Sequence, residues 1–120
     1  MQRDPASFLW DAVQAADAVI AFTSGRTMED FRRDLQLRSA VERQLEIVGE
    51  AFSRLSRVDP ALAGQIPNLS RIIGLRNILV HGYAQVDSDR VWRIVQENLP
   101  ELRATLERLL GEIPPPGHLP

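Results

Sequence analysis

The sequence predicts an all-α domain, a bundle of four or five helices in up-and-down order. Apolar residues recur at three- and four-residue spacing along successive segments, and no segment alternates as a strand does. Residues that cap helices stand where those segments begin. A chain of 120 residues makes one domain with room for a real core.

The first helix starts at Asp4, which can cap it, with Pro5 in the first turn, where a missing N–H does no harm. Phe8, Leu9, Ala12, Val13, Ala16, Val19 and Ile20 give it one broad apolar face, and Thr23, Ser24 and Gly25 stop it. Thr27 caps a second helical region, with Asp30 three residues on as in a capping box. Leu37, Val41, Leu45, Val48, Phe52 and Leu55 form its stripe, while Arg38, Glu42, Arg43, Glu46 and Glu50 face solvent or an interface. A connector lies between Asp59-Pro60 and Pro67-Asn68, with a short helical turn near Ala61 to Gly64. Ser70 begins a third helix that runs to His81, where Gly82 is expected as a left-handed terminator. Asp87 caps a last helix with the stripe Val91, Val95, Leu99, Leu102, Leu106 and Leu109. Pro100 should kink that helix without breaking it. The bundle spans residues 1–112, and a Pro-rich, non-helical tail follows over 113–120.

Composition narrows the function. The net charge is -2 and all 14 basic residues are arginine, so there is no general basic field and any phosphate site must be local. Cysteine is absent, which removes disulfides, thiolate metal sites and a cysteine nucleophile. With only His81 and His118 and no HExxH spacing, no metal site is expected. No apolar run approaches the roughly 18 residues of a membrane span, and no signal peptide opens the chain, so the expected location is the cytoplasm.

The segment "LRNILVHGYA", Leu75 to Ala84, concentrates unusual polar residues in an apolar helix. Asn77 and His81 lie four apart and share a face; Arg76 is about 100° round from Asn77, and Tyr83 stands just past the helix end. The set suits a phosphodiester. Arginine offers a fork of donors to two phosphate oxygens, histidine exchanges a proton near neutral pH, asparagine orients either, and tyrosine stacks on a base. Attack by a ribose 2′-hydroxyl needs only proton transfer and charge stabilisation, hence no metal. A purely structural reading stands beside this one, with His81 on the terminal carbonyls and Arg76 in an ion pair, and chemistry alone favours it. Gly49-Glu50 also stands out, since a mid-helix glycine costs up to about 1 kcal/mol against alanine. Close helix packing is the preferred explanation; the alternative has Gly49 admit a helix while Glu50 or Arg43 lines a cleft.

The order arginine, four residues, histidine, one residue, tyrosine in "RNILVHGY" resembles the signature of the HEPN superfamily of helical ribonucleases, in its HepT-like toxin branch. "FLWDAVQAADAVIAFTSG" resembles that family's first helix and "AVERQLEIVGEAFSRLS" its second, so the likeness covers nearly the whole chain. The resemblance implies a HEPN-type bundle that forms a homodimer with the signature helices at the interface. It implies a toxin of a type VII-like toxin–antitoxin pair, cutting RNA without metal or other cofactor. Arg76 and His81 would be catalytic and Asn77 supporting. Tyr83 would carry AMP attached by a small MNT-type nucleotidyltransferase antitoxin. Two other functions stay open: a non-catalytic helical interaction module, and a nucleotide-binding subunit that completes a nucleotidyltransferase.

Overall fold

The computed structural model describes residues 4–82 and 86–113, so Tyr83 and most of the Pro-rich tail lie outside the described residues. Helix α1, Pro5–Thr23, opens with Asp4 Oδ1 accepting from the Ala6 N–H at 2.8 Å. It closes where the Thr23 hydroxyl donates to the Val19 carbonyl at 2.8 Å. Gly25 then turns the chain at φ 74°, a conformation glycine adopts without a Cβ penalty. The predicted second region is two helices, α2 over Met28–Arg33 and α3 over Leu35–Val58. Asp34 divides them. Its backbone is extended and its Oδ1 accepts from the Leu37 N–H at 3.0 Å, so one residue ends α2 and caps α3. The Thr27–Asp30 capping box is formed in both directions.

A single turn, α4 over Pro60–Ala63, sits in the connector. Helix α5 follows over Leu69–His81. Gly82 is not left-handed as expected: its φ is -123°, and its N–H continues the helical ladder by donating to the Ile78 carbonyl at 2.8 Å. The last stripe also divides, into α6 over Ser88–Glu97 and α7 over Leu99–Glu112. Pro100 in the first turn of α7 has no N–H to offer the preceding turn. Asn98 between them stays helical in its dihedrals, with its N–H on the Ile94 carbonyl and its own carbonyl accepting from Leu102. The expected kinked helix is therefore two helices one residue apart.

Helix α3 is the axis of the bundle. Its stripe of Val41, Leu45, Val48, Phe52 and Leu55 is fully buried, with α1 packed along it and α5 on another side. Helix α7 lies against α1 and brings Leu102, Leu106 and Leu109 into the same core. Ile20, placed on the apolar face of α1 by its spacing, is 38% exposed. Helices α2 and α6 pack at one end, where the Phe31 and Trp92 rings meet at 5.4 Å. Arg32 clasps Asp89 there with two hydrogen bonds of 2.8 Å, and Arg103 holds Asp17 between α7 and α1. These pairs are exposed to solvent and contribute little, so apolar burial carries the fold. Among the described residues no helix is long and apolar enough to cross a membrane.

Candidate active site

Helix α5 turns Ile72, Leu75 and Leu79 into the core, and its only extensive contact among the described helices is with α3. The closest approach is at Gly49. A Cβ built there would stand 2.2 Å from Cβ of Arg76, 2.8 Å from its Cγ and 3.2 Å from the Ile72 carbonyl oxygen. No side chain fits between the two helices at that point. The stem of Arg76 lies across the bare backbone of α3, which is the close packing that a mid-helix glycine suggested.

That contact fixes where the guanidinium goes. Arg76 Nη2 lies 2.6 Å from Glu50 Oε2, and Nη1 donates to Asn77 Oδ1 at 2.9 Å. The other Glu50 oxygen accepts from Arg54 Nε at 2.8 Å. The hydrogen bond from Arg54, and then the charge of Arg76, hold the Glu50 carboxyl below its ordinary range. Glu50 is thus a fixed anion at working pH, and it sets the plane of the Arg76 fork. The side chains remain partly open, 26% exposed for Arg76 and 35% for Glu50, so an anion can still reach the remaining N–H donors.

Asn77 and His81 are exposed on the outer side of α5. They sit one turn apart, about 40° round the axis, while Arg76 is about 140° from His81 and roughly 7.5 Å back along the helix. The structure therefore joins Arg76 to Asn77 and places His81 on the face that Asn77 shares, with no hydrogen bond between His81 and either of them. Tyr83 lies outside the described residues. Glu50 was not among the residues taken for the site from sequence, and it is the direct partner of Arg76. The signal that pointed to it was the glycine beside it. On its other side Glu50 borders a cavity of about 160 Å³ between α1 and α3, which Arg43, Glu46 and Arg54 also line. Among the described residues no three His, Asp or Glu side chains gather as metal ligands.

The family model described as ribonuclease HepT-like matches residues 13–109, a span that holds Gly49, Glu50, Arg76, Asn77 and His81. The chain belongs to the HepT-like family. "Putative RNase MJ1380" of Methanocaldococcus jannaschii is 38% identical to this HepT-like chain, over 88% of it and 96% of that relative. "Probable ribonuclease HepT" of Thermococcus cleftensis is 33% identical, over 91% of this chain and 98% of the relative. No solved structure matches the chain significantly.

Proposed function

We propose that this HepT-like protein is the toxin of a toxin–antitoxin pair, a metal-independent endoribonuclease with Arg76 and His81 as its catalytic residues. The observation that carries this reading is the Glu50–Arg76–Asn77 chain of contacts on the helix that also bears His81. In the reaction, the ribose 2′-oxygen attacks the adjacent phosphorus while its proton passes to an imidazole. The P–O5′ bond breaks and O5′ takes a proton, leaving a 2′,3′-cyclic phosphate and a 5′-hydroxyl end. Arg76 binds the non-bridging oxygens, whose charge grows in the transition state. His81 moves the protons, and two copies of it supply base and acid together.

A homodimer built on α5 provides those two copies. Gly74 supports this: it stands mid-helix on the exposed side of α5, and a Cβ there would meet nothing within 4 Å. Among the described residues nothing in the protomer accounts for a glycine that costs up to about 1 kcal/mol against alanine. A second helix approaching at Gly74, on the face that His81 shares about 20° round the axis, does account for it. Sedimentation at micromolar concentration should show twice the 13.5 kDa protomer mass. Gly74→Gln should shift it to monomer with the helical content retained; a Gly74→Gln dimer as tight as the parent's would place the interface elsewhere.

Tyr83 is the proposed off-switch. Its hydroxyl attacks the α-phosphorus of ATP on a partner nucleotidyltransferase, forming tyrosyl-AMP and releasing pyrophosphate. The added phosphodiester brings roughly one negative charge to the chain two residues after His81, where it would repel substrate phosphate, and the attached nucleotide would compete with a substrate nucleotide. The deciding experiment incubates the purified chain with RNA and chelator, before and after treatment with such an enzyme and ATP. We expect cleavage before treatment, and its loss together with one or more AMP masses after it. Tyr83→Phe should cleave and gain no mass. A parent chain that leaves RNA intact is instead a helical interaction module, in which the Arg76–Glu50 ion pair only joins α5 to α3.

A further inference from the structure

We propose that Arg71, Arg90 and Arg93 form a second phosphate site, one that holds the RNA backbone away from the bond being cut. The three arginines line a cavity of about 200 Å³ between the start of α5 and the exposed side of α6, together with Ile94, Glu97 and Asn98. Most arginines of this chain are already matched. Arg26, Arg32, Arg33, Arg43, Arg54, Arg76, Arg103 and Arg108 each hold a carboxylate. Arg71, Arg90 and Arg93 form no such ion pair among the described residues, although the chain is acidic overall. Arg93 does feel the charge of Asp89, but that carboxylate is already clasped by Arg32. Three cations without an ion pair of their own therefore face one cavity that is lined by a single carboxylate, Glu97, and its positive charge is left for a ligand. The cavity beside Glu50 is different, because there Arg43 and Arg54 are paired with Glu46 and Glu50.

The guanidinium fork matches the paired oxygens of a phosphodiester, and the Asn98 amide offers one more donor. The place suits a strand that also reaches the active site. Arg71 and His81 are both exposed on α5, roughly 15 Å apart along the axis and about 80° round it. An RNA strand that meets His81 at one end of α5 and the arginine cavity at the other passes beside the dimer contact at Gly74 rather than over it. The choice of RNA as ligand rests on the nuclease reading above; the charge imbalance that makes the cavity an anion site does not.

The test compares the full-length parent with Arg93→Gln and with the combined Arg71→Gln, Arg90→Gln, Arg93→Gln variant. Binding of a long single-stranded RNA is measured against salt, and turnover of a dinucleotide, whose single phosphate is the scissile one, is measured alongside. Each lost phosphate contact should reduce the slope of log K against log salt by about 0.7, so the combined variant should lose about 2 and Arg93→Gln about a third of that. Dinucleotide turnover should not change. A parent that cleaves RNA while the variants keep its salt slope overturns the anchor and leaves the nuclease reading standing. A parent that neither binds nor cleaves RNA overturns both, and ATP bound by the parent but not by the combined variant would then assign the cavity to free nucleotides instead.

Discussion

Arg76→Ala and His81→Ala should each reduce RNA cleavage by on the order of 10²-fold or more, with the far-ultraviolet spectrum unchanged. Removing one group that stabilises transition-state charge typically costs about 10²–10³ in rate, and removing a general acid or base about 10²–10⁴. His81 is exposed at the last residue of α5, so its loss takes little from the core. Arg76 is more entangled. Its removal leaves Glu50 with Arg54 alone, which keeps that carboxylate paired and spares the fold a buried, unmatched charge. Arg76→Lys separates charge from shape: an ammonium can replace the attraction to Glu50 but not the planar fork, so folding survives and most activity does not. Parent-like cleavage by either alanine variant would remove that residue from the mechanism.

Gly49→Ala is expected to lower the urea midpoint and impair activity together. Alanine gains up to about 1 kcal/mol of helix propensity at a mid-helix position. Against this stands a methyl group 2.2 Å from Cβ of Arg76, an atom held by the backbone that cannot swing aside. Overpacking of this kind costs about 1–3 kcal/mol, and so short a contact belongs at the upper end. Helices α3 and α5 must separate to relieve it, which moves the guanidinium away from Glu50. Gly111→Ala is the control, because no described residue lies within 4 Å of a Cβ there and the same substitution should be neutral or stabilising. Equal midpoints for Gly49→Ala and the parent would show that the two helices are not pressed together at this point.

The helices were legible where long stripes and caps coincide, as at Asp4, at Thr27 with Asp30, and at Asp87. Asp34 was not. It interrupts the apolar pattern for a single position, and only its side chain on the Leu37 N–H makes it a cap. The same holds at Asn98, where one residue with helical dihedrals divides what reads as a continuous stripe. Gly82 looked like a left-handed stop because glycine usually is one after a helix, yet its N–H found the Ile78 carbonyl without that turn. At the site, Arg76 and Asn77 stand side by side in the chain, so their hydrogen bond is local. The Glu50 contact joins two distant stretches of sequence, and no periodicity reports such a meeting. Only the unexplained glycine next to Glu50 hinted at it. The grouping of Arg71 with Arg90 and Arg93 left no trace in the sequence at all, because it depends on how the start of α5 lies against α6.

The one-sided seating of α5 has a consequence for how the protein behaves when scarce. Elements with few packed neighbours open at a lower free-energy cost than the global unfolding, and their amides exchange sooner. Backbone amides of α5 should therefore lose protection before those of α1 and α3, which enclose the core between them. If a second copy covers the outer face of α5, association and ordering of the reactive helix become a single linked equilibrium. Dilution then does more than separate subunits, because it loosens the element that carries Arg76, Asn77 and His81. Specific activity would rise with the concentration of the chain itself, so a few stray molecules would be nearly harmless and an accumulated pool would not.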